Sequence, residues 1–177
     1  MKNILILNGP NLNLLGHREP EVYGTATLKD VEALCRETAA VSGHGIDFRQ
    51  SNHEGVLIDA LQEAGMERKA GRVLGAVFNP GAFTHTSIAL LDAIKATELP
   101  VFEVHISNPA AREDYRHISW VARAALGCIW GFGVDGYRLA IDGLVRRLAK
   151  WIWRRKTWPP AIQRPPRRVR SRFWVWA

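Results

Sequence analysis

At 177 residues the chain fits one domain and is long enough to bury a real core. Its charge is segregated: every acidic residue lies at or before Asp142, whereas eleven of the 24 Lys and Arg lie at or after Arg146. The body is therefore net acidic, and the overall +7 describes a C-terminal appendix. No charged-then-apolar leader and no apolar run of spanning length is visible, so a soluble, cytoplasmic body is expected. Cys35 and Cys128 have no metal-ligand spacing and are expected to be two buried free thiols.

In chain order, Asn3 to Asn8 is a short apolar run halted by Gly9-Pro10, and Thr27 to Val41 has helical spacing behind a Thr cap. Ile46 to Gln50 reads as a second strand, followed by the helical pattern of Val56, Leu57, Ala60, Leu61 and Ala64. A third strand, Val73 to Phe78, ends at Asn79-Pro80-Gly81. Ser87 to Ala96 reads as a helix, Pro100 to His105 as the fourth strand and Leu126 to Trp130 as the fifth. A last helix runs from about Val134 into a Trp-rich segment. Parallel neighbours need crossover helices, so five short strands separated by helices predict an α/β fold: a flavodoxin-like, doubly wound, five-stranded parallel sheet with helices on both faces.

The residues just past each strand of such a sheet converge on one rim. Glu103 and His105 stand two apart on the fourth strand, hence on one face near its C-terminal end, a pairing suited to proton transfer or to a buried polar contact. The other rim loops carry Asn8-Gly-Pro-Asn11-Leu-Asn, then Arg18-Glu-Pro-Glu-Val-Tyr23-Gly24, Gln50-Ser-Asn-His53, and Asn79-Pro-Gly-Ala-Phe-Thr-His85-Thr-Ser. Strand four continues into Ile106-Ser107-Asn108, followed by Arg112 and Arg116. Each of these residues has an ordinary alternative: Asn79 before Pro80 a turn, His85 a cap, Arg112 with Arg116 a solvated helix face, Tyr23 surface packing. Together they suit a small, oxygen-rich anion.

These motifs, in order over roughly residues 2 to 148, resemble type II 3-dehydroquinate dehydratase, a small flavodoxin-like enzyme of the shikimate and quinate pathways. The resemblance implies anti elimination of water from 3-dehydroquinate through an enolate to give 3-dehydroshikimate, with no metal, no Schiff base and no cofactor. It implies that Tyr23 is the base, with Arg18 and Arg112 favouring its phenolate. His105 is then the proton donor, Glu103 supports it, and Asn11 aids the enolate through an ordered water. Asn79, His85, the amides of Ile106 and Ser107, and Arg116 match contacts to substrate hydroxyls and carboxylate. Asp92 matches a residue that reaches a neighbouring subunit's site, which implies a homo-oligomer, the family's dodecamer of four trimers. Leu91 stands where the family commonly has Arg, and Pro109-Ala110 where it has Ile-His.

Two other readings use different residues. Gly131-Phe-Gly133-Val-Asp-Gly136 is a literal G-x-G-x-x-G, but no strand follows it as a dinucleotide unit requires; close helix–sheet packing accounts better for the glycines. Residues 149–177 interleave Trp and basic residues with Pro159-Pro160 and Pro165-Pro166. Such a segment suits contact with nucleic acid or an acidic membrane, and it is expected to lie outside the folded domain 1–148 as a disordered extension.

Overall fold

The computed structural model describes residues 1–17 and 25–154, with side chains described up to residue 149. β1 (Asn3–Asn8) alternates in the manner of a strand covered on both faces: Ile4 and Ile6 point to one side, Leu5 and Leu7 to the other, and none is more than 1% exposed. It pairs in parallel with β2 (Gly45–Gln50) and β3 (Val73–Asn79). β4 (Val101–His105) then pairs with β3, and β5 (Gly127–Trp130) with β4. The strand order 2-1-3-4-5 is that of flavodoxin-like sheets. The expected strands all form, with ends shifted by one residue at most.

Among the described residues four α-helices cover the sheet: α1 (Leu28–Val41), α2 (Glu54–Lys69), α3 (Ile88–Thr97) and α4 (Asp135–Arg154). One core layer joins Leu5, Leu7 and Phe78 to Leu57, Leu61, Leu90 and Ile94 of α2 and α3. The other joins Ile4, Ile6, Val77 and Val104 to Val31, Cys35, Tyr137, Ile141 and Leu144 of α1 and α4. α1 starts at a capping box, in which the Thr27 hydroxyl accepts from the Asp30 amide and the Asp30 carboxylate accepts from the Thr27 amide. α4 runs past position 148, into the Trp-rich segment as expected. No helix among the described residues is long and apolar enough to cross a membrane.

One expectation needs correction. Cys35 is buried, but Cys128 is exposed, because β5 is the outermost strand of the sheet. The ordinary alternative for Arg112 and Arg116, a shared helix face, is not what forms: Arg112 caps the C-terminal end of the 3-10 turn Pro109–Ala111, and Arg116 closes a second one, Asp114–Arg116.

Candidate active site

Parallel pairing puts all five strand ends at one rim. Asn8 lies level with Gln50 on one side and Asn79 on the other, and His105 lies level with Trp130. The loops after β1 and β3 cross in contact: a Cβ at Gly9 would stand 2.4 Å from the Pro80 carbonyl oxygen, so only glycine fits there. Between these loops and the turns after β4 lies a cavity of about 210 Å³, lined by Asn11, Asn79, His85, His105, Ile106, Ser107, Arg112 and Arg116 among others.

Glu103 is fully buried and His105 is 8% exposed, and His105 Nε2 lies 2.7 Å from Glu103 Oε1. Burial by itself would push the Glu103 carboxyl up. The His105 hydrogen bond and charge, with hydrogen bonds from Thr84 and Ser119, outweigh it and hold the carboxyl below its ordinary value. The indole of Trp130 packs edge-on to the His105 ring at 6.1 Å. The carboxylate takes the Nε2 side, so Nδ1 is the ring nitrogen left to exchange a proton with a ligand.

The His85 ring stacks 6.4 Å from that of His105, and its Nδ1 lies 2.8 Å from the Ile118 carbonyl. A carbonyl only accepts, so Nδ1 carries the hydrogen and Nε2 is an acceptor. Burial pushes the His85 pKa down; the Ile118 carbonyl opposes this, while His105 and Arg116 reinforce it, so the ring is neutral at neutral pH. Asn11 adopts a left-handed conformation, φ 66°, and its amide donates to Asn52 Oδ1 at 2.9 Å, which fixes the turn at the cavity mouth.

Glu113 lies 3.5 Å from the Arg112 guanidinium and 2.7 Å from that of Arg116. Its own backbone amide and Arg116 hold this exposed carboxyl at about 2, so it stays an anion that tethers both arginines at the rim. His117 Nε2 meets the Arg112 carbonyl at 3.0 Å, which pins the turn between them.

Most of the candidate residues therefore meet in one cavity. Asp92 is exposed on α3 and does not line it. Arg18 and Tyr23 lie outside the described residues. Asn79 lines the cavity, but its Nδ2 donates to the Tyr137 hydroxyl at 2.9 Å, and that hydroxyl donates to Asn8 Oδ1 at 2.7 Å. Sequence reasoning missed Tyr137, Asn52, Thr84 and Ser119. Thr84 sits inside a motif already singled out and was findable; Ser119 meets Glu103 from sixteen residues away with no local pattern to mark it. The glycines of the G-x-G-x-x-G string serve the fold. Gly131 donates to the carbonyls of His105 and Ser107, and Gly133 to that of Ile106, so these amides are spent on the β4 turn and are not open to a pyrophosphate. Among the described residues no group of three or more His, Cys, Asp and Glu is placed to hold a metal ion.

The model of the family described as dehydroquinase class II matches residues 2–145. The chain belongs to that family. It is 62% identical over 148 residues to a 3-dehydroquinate dehydratase of Marinomonas sp. (strain MWYL1), covering 84% of this chain and 99% of that protein. It is 63% identical over 145 residues to one of Variovorax paradoxus (strain S110), covering 82% and 99%. The crystal structure of the type II dehydroquinase from Propionibacterium acnes superposes with a TM-score of 0.77 at 41% identity, over 82% of this chain and 97% of that one. In this class II dehydroquinase chain Leu91, next to Asp92 on α3, is buried at 7% exposure.

Proposed function

We infer that this chain is a lyase that dehydrates 3-dehydroquinate to 3-dehydroshikimate. The observation that carries the reading is the Glu103–His105 pair opening on a cavity edged by Arg112 and Arg116, in a chain of the dehydroquinase class II family. Elimination needs a base for the proton beside the ketone, dipoles for the enolate oxygen, and an acid for the departing hydroxide. Tyr23 takes the proton, with Arg18 and Arg112 favouring its phenolate. Asn11 supports the enolate through a water molecule. His105 protonates the leaving hydroxide from Nδ1, with Glu103 bearing the complementary charge. His85 accepts from a substrate hydroxyl through Nε2, while Asn79, the Ile106 and Ser107 amides and Arg116 hold the remaining oxygens. No resident cofactor or metal enters these steps.

The exposed carboxylate of Asp92 completes the site only when a second copy brings it there, which supports a closed homo-oligomer, a dodecamer of four trimers. The body 1–148 carries the chemistry in the cytoplasm, and 149–177 is a basic extension whose contact with nucleic acid or membrane is a separate, non-catalytic property. Purified full-length protein mixed with 3-dehydroquinate should develop the ultraviolet absorbance of a conjugated enone. A flat trace at saturating substrate would overturn the assignment.

A further inference from the structure

The carboxylate of Glu103 has more partners than the histidine it supports. Thr84 Oγ1 donates to Oε1 at 2.5 Å, and Ser119 Oγ lies 2.9 Å from Oε2 and 3.0 Å from Oε1. Cys128 on β5, level with Glu103 in the sheet, presents its thiol to Oε2 at 3.6 Å. With His105 Nε2 these make four donors, and an ionised carboxylate has about four lone-pair directions. A protonated Glu103 would have to turn one of its neighbours into an acceptor; a carboxylate accepts from the ring nitrogen, the thiol and both hydroxyls, one hydroxyl sharing its single hydrogen between Glu103 and the other hydroxyl oxygen. The titratable groups that face it are His105 on its own strand, Cys128 on β5, and His85 on the turn after β3.

The two hydroxyls are held from behind. Ser119 Oγ accepts from the Ala122 amide at 2.8 Å, the Thr84 carbonyl accepts from the Trp120 amide at 2.8 Å, and the hydroxyls themselves are 2.7 Å apart. Residues 118–122 therefore form a strap that touches His85, Thr84 and Glu103 in succession.

We propose that Thr84 and Ser119 are positioning residues for the elimination: they close the hydrogen-bond shell of Glu103, keep it an anion, and so hold a proton on His105 Nε2 and leave Nδ1 to deliver the proton to the leaving hydroxide. This rests on the dehydration reading, and the test separates the two.

Full-length protein with a ¹³C-labelled Glu carboxyl is titrated by NMR without substrate, as wild type, Thr84→Val, Thr84→Ser and Ser119→Ala. Far-UV circular dichroism checks the fold of each. Losing one hydrogen bond to a charged group should move Glu103 protonation upward by about one pH unit or more in Thr84→Val and Ser119→Ala. Thr84→Ser, which keeps the hydroxyl, should titrate like wild type. With 3-dehydroquinate, kcat should fall about tenfold or more in Thr84→Val, with KM within about twofold, and Thr84→Ser should restore it.

An unmoved Glu103 titration in Thr84→Val and Ser119→Ala overturns the proposal. So does a kcat loss as large in Thr84→Ser as in Thr84→Val, which would assign the effect to packing. A titration that moves with kcat unchanged overturns the catalytic part. If Thr84→Val fails to fold, Ser119→Ala carries the same comparison. A wild type that does not turn over 3-dehydroquinate while the titrations shift as expected would sink the dehydration reading and leave the carboxylate shell standing.

Discussion

Two buried polar networks sit at the same rim, and they differ in whether a charge is at their centre. On the α1/α4 side, Asn8, Tyr137 and Asn79 form a neutral chain in which each contact is close to 3 Å. On the β5 side, Glu103, His105, Thr84 and Ser119 surround a carboxylate. Burial drives the Tyr137 hydroxyl further from ionisation, so the neutral chain acts only as a spacer that ties α4 to the ends of β1 and β3. The charged cluster pays for its buried anion with four donors and thereby gains a histidine that can move a proton. The neutral network should govern stability, and the charged one chemistry and pH dependence.

The charged cluster loses its chemistry most visibly in His105→Ala. Removing the proton donor should lower kcat by about 10² to 10⁴ with circular dichroism unchanged, and Tyr23→Phe should do at least as much if it removes the base. Wild-type-like turnover in either variant would contradict its assigned role.

Tyr137→Phe addresses the neutral side. It strips the shared partner from Asn8 and Asn79 and should cost about 1–3 kcal/mol in urea unfolding. The pH dependence of turnover should stay as in wild type, because nothing in this network ionises in the working range.

Acidification sharpens the contrast. His85 and Glu103 both have folded pKa values below their unfolded ones, so each contributes stability that is present above its unfolded value and lost as pH falls towards its folded one. The melting temperature should decline first below the ordinary His value of 6.5 and further below the ordinary Glu value of 4.5. His85→Gln should flatten the first step alone; an unchanged profile in that variant would refute the attribution.

The smallest effect concerns the appendix. A chain ending at Arg154 keeps all of α4 and should retain turnover and assembly, since every candidate site residue lies at or before Arg116. Full-length protein should bind polyanions with a steep salt dependence that the shortened chain loses in large part. A folded but inactive shortened chain would show that the tail contributes to the site or to the oligomer. Chelators should leave turnover unchanged in both forms.

Periodicity and turn residues were enough to read the five strands, the helices between them and the class of sheet, because apolar alternation and Gly-Pro stops are local signals. The motifs at the rim also marked Glu103, His105, Asn11 and the arginines as one constellation. Only the folded chain decided how these residues are wired. Ser119 reaches Glu103 and Tyr137 reaches Asn8 across long stretches of chain, Arg112 and Arg116 stand at the ends of two 3-10 turns and are bridged by Glu113, and Cys128 is exposed because β5 is an edge. Local pattern reports which face a residue takes. Which partner meets it there depends on strand order and register, and these are set by the packing of the whole sheet.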